Sequence, residues 1–468
     1  MRKAKSATLH EMMNFDKMTL EELTNPQGFD GCACGRKHEC PMEFVAVAPG
    51  ALSRTVEMVQ KLGGTYPYVI CDKNTYEAAG KRVLAELEKA GIPYKLCMLK
   101  GERPAPDEKS VGSATMHLDK KCDLILSVGG GVINDTGKIV GFMTGKKQAV
   151  IGTAPSMDGY ASDSGAMEID DVKCSIYVNA PAGILLDIDV LKEAPMRMLW
   201  AGYGDIIAKY TGVLEWRISA LVHGDYYCEE VSQLMRAAVK KVEDHADGIA
   251  TRDPEAVQAI AEGLVLAGIA MSFAKISRPA SGLEHSLSHL WEMMALERKR
   301  PYDLHGIQVA VGTVINLKIF EKLKKTVPDK AKAEAFMASF DENEWKAEMR
   351  RIFGNTTEEI LAIEEKTGKN VPARHAMQLS RTLEHWDEIL RMMDEELPNY
   401  KATVAKMRRL GMPVTPSDIG ISVRDAVDAF IGAREIKDKY MINNTIWDLG
   451  LTKEFQQYLE EVVESDEI

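Results

Sequence analysis

Between Tyr66 and Pro155 the chain switches repeatedly between short apolar runs and longer amphipathic ones. This alternation restricts the fold more than any other feature. YPYVICD forms a first run ending at Asp72, and NTYEAAGKRVLAELEKAG follows with helical spacing and a stop at Gly91. YKLCMLK, from Tyr94, is a second strand, and a helix is expected over about Asp107 to Leu118. CDLILSV then runs into Gly129, Gly130 and Gly131, VINDTGKIVGFMTG is helical, and AVIGTAP is a fourth strand. Strands this uniformly apolar are buried on both faces, which calls for a parallel sheet with helices on each side. Right-handed crossovers then give a doubly wound, Rossmann-like α/β sheet whose ligands sit beyond the carboxyl ends of the strands.

The rest of the chain reads differently. From about 163 to 195, CSIYVNAPAGILLDIDVL suggests a small hairpin extension. After Pro195 long amphipathic stretches take over: Met196 to Trp216, Tyr226 to Ala250 and Pro254 to Ala274. The expected organisation is therefore an N-terminal extension over residues 1–60, an α/β domain over 61–195 and an all-helical domain over 196–468. With 468 residues, two or three domains is an ordinary division. The net charge of −12 makes a general nucleic-acid or anionic-membrane binder a poor fit. No membrane span is expected, because the most apolar run, Leu264 to Phe273, has about half the ~20 residues a bilayer requires. The opening MRKAKSATLHEMMNFDKM has a basic tip without an apolar core, unlike a secretory signal. Eight cysteines, mostly scattered singly, fit free thiols in a reducing cytoplasm. The tail EEVVESDEI reads as a charged, frayed end.

Three constellations carry chemistry. VGGGVINDTGK, Val128 to Lys138, ends a strand, turns on three glycines and opens a helix. Bare glycine backbone lets a diphosphate approach, and the helix N-terminus offers unpaired N–H groups and a positive dipole end. Asn134 takes the place of the last glycine of the usual GxGxxG fingerprint, so a plain tight turn competes with a nucleotide site. Asp72, ending an earlier strand, suits either an adenosine ribose or the cap of the following helix. GTAPSMDGYASDSGA, Gly152 to Ala166, closes the fourth strand with small and hydroxyl residues and Asp158, a loop suited to a nicotinamide ring or a polyol, or simply a polar connection. The third set is Asp205 in AGYGDIIAKYTG, His285 and His289 in SGLEHSLSHL, and His305 in YDLHGIQVAVGT. The i, i+4 spacing puts His285 and His289 on one helical face. A carboxylate and two imidazoles suit zinc, nickel or iron, whereas isolated histidines on apolar helices are commonly satisfied core residues. The HExxH pattern of metalloproteases is missing. Separately, CACGRKHEC places Cys32, Cys34, His38 and Cys40 within zinc-binding reach, although no second ligand pair follows and a turn with buried thiols is the alternative.

In this order the motifs resemble the superfamily of glycerol dehydrogenases and iron-containing alcohol dehydrogenases, which includes dehydroquinate synthase. SVGGGVINDTGK, GTAPSMDGYAS, GYGDIIAKYTG, SGLEHSLSH with HGIQVAVGT, and KDKYMINNTIWDLG are most similar to the sn-glycerol-1-phosphate dehydrogenases. The resemblance covers about residues 45 to 465. It implies a nucleotide-binding α/β domain followed by a helical metal-binding domain. It also implies NAD(P)(H), held by Gly129, Gly130, Gly131, Val132, Ile133, Asn134, Asp135, Thr153, Ala154, Pro155, Ser156 and Ser162, with Asp72 on the ribose favouring NAD. Asp205, His285 and His305 would bind one divalent metal, and Asp158 and His289 would contact substrate. The implied reaction is reversible reduction of dihydroxyacetone phosphate to sn-glycerol 1-phosphate in a cytoplasmic homo-oligomer. The alternatives are a dehydrogenase of an unphosphorylated polyol and an inactive nucleotide-binding scaffold. The sequence singles out no phosphate-binding residues; Lys209, one turn after Asp205, is a candidate, or else a solvated lysine. The stretches Glu292 to Asp303 and about 325 to 400 are longer than the resemblance leads one to expect.

Overall fold

The computed structural model describes residues 14–465 except residues 26 and 171, so readings of the first thirteen and last three residues lie outside it. Its strands are β1 (Phe44–Ala48), β2 (Pro67–Cys71), β3 (Lys95–Met98), β4 (Leu124–Gly129), β5 (Lys147–Gly152), β6 (Ser164–Ile169), β7 (Val172–Tyr177) and β8 (Gly183–Asp187). Six of them form one parallel sheet in the order β1-β8-β5-β4-β2-β3. β6 and β7 pair antiparallel as a separate ribbon, the hairpin expected there. Val69, Leu126, Ile151 and Leu185 face one apolar layer, and Tyr68, Ile70, Ile125 and Val140 meet in another. Covering helices are α1 (Thr55–Lys61), α2 (Lys81–Lys89), α3 (Glu108–Met116) and α4 (Gly131–Thr144).

Two strands depart from expectation. GILLD, read as part of the hairpin extension, is β8 in the middle of the sheet, and the segment before residue 60 supplies β1. The two pair with each other, Phe44 opposite Gly183, across 139 positions of chain (183 − 44). Such pairing is settled by distant partners, which local periodicity does not encode. The helix expected after Asp72 is also broken. A turn at Lys73–Thr75 leads through a π-turn at Tyr76–Gly80 into α2.

The chain steps outward from β2 to β3, then crosses back past β2 to β4 and on to β5. The strand order therefore reverses between β2 and β4, the position where open α/β sheets bind ligands. Asp72 follows β2 and the triple glycine follows β4, so both lie at this crevice.

From Met196 the described residues are helical. α5 (Met196–Ile207), α6 (Lys209–Val222), α7 (Glu229–His245), α8 (Pro254–Ala274), α9 (Leu283–Glu297) and α10 (His305–Leu323) precede a further set that ends with the helix Thr452–Glu464. The charged tail is thus helical as far as Glu464. α8, capped by Asp253 with Pro254 in its first turn, has 21 residues and is long and apolar enough by composition to cross a bilayer, twice the run expected above. Glu262 interrupts the apolar run but not the helix, and most of α8 is buried among the other helices.

α5 and α10 approach unusually closely through glycines. A Cβ on Gly306 would lie 2.0 Å from the Ala201 carbonyl oxygen, and one on Gly204 would lie 2.4 Å from the Gly306 carbonyl oxygen. On its other side α5 meets the loop after β5, where a Cβ on Gly202 would fall 1.9 Å from the Pro155 carbonyl oxygen. These contacts fix the neighbouring Asp205 and His305.

Candidate active site

β4 and β5 end side by side in glycine, Gly129 opposite Gly152. α4 starts immediately after, with Gly130 at its N-cap and no side chain satisfying its first N–H groups. A 14-residue helix with an uncapped N-terminus at a strand switch is an anion site by construction. No atom beyond the adjacent residues lies within 4 Å of where a Gly130 Cβ would be, so the turn is open.

The residues singled out around this turn divide in two. Gly130, Gly131 and Val132 are partly exposed at the crevice. Asn134 is fully buried; its amide donates to the Gly159 carbonyl at 3.3 Å and its oxygen accepts from Gln148 at 3.3 Å, so the side chain braces the loop from behind. Asp135 accepts from the Ala166 N–H at 3.2 Å. Thr153 donates its N–H to the Gly129 carbonyl, and the Ala154 carbonyl accepts from Tyr160. Ser162 accepts from Lys138, a buried lysine not singled out from sequence, whose Nζ also donates to the carbonyls of Gly159 (2.6 Å) and Ser164 (2.9 Å). Burial pushes the Lys138 ammonium below its ordinary value while Asp135 opposes the fall. Asp72 caps the turn after β2, its Oδ1 accepting from the Thr75 N–H at 2.8 Å.

The second half of the site is built by three helices. Asp205 on α5 is fully buried, and its Oδ1 lies 3.3 Å from His285 Nε2 on α9. Its Oδ2 accepts from the Asp158 backbone N–H at 2.9 Å. Asp158, Asp205 and His285 bring their donor atoms within 4.8 Å of one another. The His305 ring, at the start of α10, lies 5.4 Å from the His285 ring and 5.4 Å from the His289 ring. Asp205, His285, His289 and His305 thus lie in one region, but the three donors in close reach of one another are Asp158, Asp205 and His285, with the expected ligand His305 standing beside them rather than among them.

Each imidazole is oriented from behind by a carboxylate that sequence reasoning missed. His285 Nδ1 donates to Glu284 Oε1 at 2.8 Å, and His305 Nδ1 lies 3.3 Å from Glu292 Oε1 and 3.1 Å from Ser288 Oγ. Both rings thus offer Nε2, the arrangement of metal-bound histidines. The GLEH and LWEMM contexts of Glu284 and Glu292 do carry a signal, since each acid directly follows an apolar residue, Leu283 or Trp291, on the helix that bears His285. Burial opposes ionisation of Glu284, but the His285 hydrogen bond and charge bring its carboxyl down to about 2. Burial likewise works against Asp205, and the Lys209 ammonium with His285 holds its carboxyl well below the usual range. Behind Glu284 stands Glu215, pushed up to about 7 by burial and by Glu284 itself.

Lys209 is neither solvated nor free for a phosphate. It is 1% exposed and donates to Asp158 Oδ2 at 2.6 Å and Asp205 Oδ1 at 2.9 Å. One turn along α5–α6 from Asp205, it ties the loop carboxylate to the helix carboxylate. The two halves of the site meet at consecutive residues. Met157 lies 3.4 Å from where a Gly131 Cβ would be, and Asp158 bonds Asp205. Of the longer stretches, Glu292–Glu297 extends α9, and 325–400 consists largely of helices packed outside the site.

Comparison with known proteins gives concordant results. Residues 46–195 match the iron-containing alcohol dehydrogenase family. The chain is 33% identical to a glycerol-1-phosphate dehydrogenase [NAD(P)+] of Halalkalibacterium halodurans over 288 residues, 61% of this chain and 72% of that one. A protein of the same description from Bacillus licheniformis is 26% identical over 95% of this chain and 96% of its own, and one from Pyrococcus furiosus is 32% identical over 61% and 83%. Among solved structures, glycerol dehydrogenase from Schizosaccharomyces pombe superposes with a TM-score of 0.59 at 15% identity, covering 91% of this chain and 92% of that one. A 1,3-propanediol oxidoreductase superposes with a TM-score of 0.57 at 18% identity, covering 90% and 97%. At these identities the superpositions establish the fold alone.

Proposed function

Because the chain belongs to the glycerol-1-phosphate dehydrogenase family, we propose that it catalyses the reversible NAD(P)H-dependent reduction of dihydroxyacetone phosphate to sn-glycerol 1-phosphate. The observation that carries this reading is the joining of an uncapped, glycine-lined helix N-terminus to a buried carboxylate–imidazole cluster through Met157 and Asp158. A dinucleotide on the first feature and a polyol on the second would sit in contact.

The donor set fits a divalent cation. Asp158, Asp205 and His285 bring their donor atoms within 4.8 Å of one another, and the His305 ring, its Nδ1 engaged by Glu292 and Ser288, stands 5.4 Å from the His285 ring as the further nitrogen donor beside them. Asp205, His285 and His305 would hold it, and zinc, nickel or iron suits these ligands. When bound, the dinucleotide supplies hydride, and the cation supplies Lewis acidity toward the substrate oxygens. The residues of the chain do the rest. The α4 N-terminus with Gly129, Gly130 and Gly131 receives the diphosphate, and Asp72, whose Oδ1 already serves as a cap, offers its second oxygen to the ribose. Asp158, positioned by Lys209, orients a substrate hydroxyl. His289, one turn from His285, carries the proton that the substrate oxygen gains.

The test is steady-state oxidation of NADH and NADPH by the metal-reloaded protein with dihydroxyacetone phosphate and with dihydroxyacetone. A preference for the unphosphorylated ketose would replace this reading with a polyol dehydrogenase. His285→Ala should lose one bound metal and turnover while retaining NAD(H) binding; full turnover in that variant would remove the metal assignment. The reading includes a cytoplasmic, self-associating enzyme, which light scattering on the purified protein checks.

A further inference from the structure

The described part of the chain before β1 shares a core with both the helices and the sheet strands β1, β5 and β8. It packs against the helices: Phe15, Phe29 and His38 gather around Phe273 near the end of α8, with ring centroids 4.9 to 5.7 Å apart. At this junction Cys32, Cys34 and His38 meet Cys228, the N-cap residue of α7, and their four donor atoms lie within 4.8 Å of one another. Cys40, which the local sequence grouped with them, is buried elsewhere, and Cys228 stands 196 positions from Cys32 in the chain.

We propose that Cys32, Cys34, His38 and Cys228 form a four-coordinate structural zinc site that staples the N-terminal segment to the helical part of the protein. The edges agree with a tetrahedron. Bonds of about 2.3 Å to sulfur and about 2.05 Å to nitrogen give S···S edges of about 3.8 Å and S···N edges of about 3.6 Å. Cys32 Sγ and Cys228 Sγ are 3.6 Å apart, Cys34 Sγ and His38 Nε2 are 3.4 Å apart, and Cys228 Sγ and His38 Nε2 are 3.6 Å apart. His38 is already in the ligand tautomer: its Nδ1 lies 3.0 Å from the Phe273 carbonyl, which can only accept, so Nε2 keeps its lone pair and turns it to the three sulfurs. Burial also favours its neutral form.

The surroundings suit thiolates gathered on a cation. Tyr226 donates its hydroxyl to Cys34 Sγ at 3.3 Å, and Arg36 lies 3.4 Å over the Tyr226 ring while donating to the Ala274 carbonyl. Glu230 Oε2 is 3.4 Å from Cys228 Sγ, so the pocket holds a carboxylate beside three sulfurs, a group that a dication offsets. In the metal-free protein burial pushes the Cys32 thiol up to about 12 and raises Cys228 further. Although burial opposes it, the hydrogen bonds from the Tyr226 hydroxyl and the Arg36 backbone hold Cys34 below its ordinary value. As zinc binds, the three thiol protons leave to solvent. All four positions are filled by protein donors and none is open to substrate, so the site is structural.

Cobalt substitution of the full chain tests the proposal. Thiolate ligands give a sulfur-to-cobalt charge-transfer absorption, which the oxygen and nitrogen donors around Asp205 do not. The wild type and Cys40→Ser should show it, and Cys228→Ser should lose it together with one zinc per chain. His285→Ala should keep it while losing the other metal, which separates this site from the dehydrogenase reading. X-ray absorption of the zinc-loaded His285→Ala protein should give about three sulfurs at about 2.3 Å per zinc. If Cys228→Ser does not fold, the wild-type and His285→Ala spectra decide. Absence of the charge-transfer band in cobalt-loaded wild type, or isolation of a Cys32–Cys228 disulfide, overturns the proposal.

Discussion

Gly306→Ala offers the most direct test of how this fold positions its ligands. The new Cβ would fall 2.0 Å from the Ala201 carbonyl oxygen, 2.6 Å from its carbon and 2.9 Å from its Cα. All three are backbone atoms of α5, so no side-chain rotation relieves the contact. Real Cβ atoms stay at least 3.0 Å from neighbours, which requires α5 and α10 to part by 3.0 − 2.0 = 1.0 Å. His305 immediately precedes Gly306, and Asp205 follows Gly204 on the opposing helix, so the displacement acts on both ligands. A misplacement of about 1 Å is worth roughly 100-fold in rate, or about 2.7 kcal/mol of transition-state stabilisation. Two terms compete in stability. Alanine gains up to about 1 kcal/mol of helix propensity, whereas overpacking costs about 1–3 kcal/mol. The clash wins, because its partner is main chain. Gly112→Ala in α3, where no atom lies within 4 Å of the new Cβ, isolates the propensity term and should raise stability by about 0.5–1 kcal/mol. Urea unfolding, metal content and kcat/KM of the two variants complete the comparison. A Gly306→Ala protein with wild-type metal content and turnover, and stability raised as in Gly112→Ala, would refute the reasoning.

Three further predictions follow from the site and its surroundings. Glu284→Gln keeps the shape but not the charge behind His285 Nδ1, and should weaken binding of the catalytic metal by roughly 10- to 100-fold in a chelator competition while leaving NAD(H) binding unchanged; unchanged metal affinity would show that Glu284 does not support His285. Asp72→Ser retains a helix cap but removes the charge, and should raise the NADPH-to-NADH ratio of kcat/KM by at least roughly fivefold, since two charges 4 Å apart in water interact by about 1 kcal/mol; an unmoved ratio would separate Asp72 from the ribose. Burial pushes the Asp448 carboxyl from 3.8 up to about 7, against the hydrogen bond donated by Tyr440. The neutral acid is the folded form, so its stabilising contribution is complete below about pH 4 and is lost as the pH rises to about 7, on the order of 4 kcal/mol in all. Asp448→Asn should remove that fall, and equal wild-type-minus-variant differences in urea unfolding at pH 5 and pH 8 would contradict it.

What the sequence disclosed follows from the range of each interaction. The apolar strands β2 to β5, the glycine turn and the α5–α10 histidines announce themselves through neighbours within a few positions. The glycines of AGYGD and LHG also lay in plain view, and their spacing marks where α5 and α10 touch. β1 and β8 escaped because each is a short apolar run completed by distant partners, β1 by β8 and β8 by β1 and β5. Lys138 was passed over and Lys209 read as solvated or phosphate-binding for a related reason. A lysine is ordinarily solvated, and only the folded chain supplies the carbonyls around one and the two carboxylates around the other. Cys228 is the extreme case, a single cysteine whose companions lie on the far side of the whole sheet in sequence.

The route of the chain also restricts how its two halves move. Among the described residues the chain packs Phe15 against the helices, enters the sheet at β1, and leaves it for good at the end of β8, the neighbouring strand. Entry and exit therefore lie at opposite ends of adjacent parallel strands, about 16.5 Å apart for five residues at about 3.3 Å each. A body tethered at two points swings freely only about the line through them. Here that line runs along the β1–β8 border, and the loop after β5, seated on α5 at Pro155 and bonded to Asp205 at Asp158, pins the sheet at a third place beside the glycine turn, so the crevice keeps its width.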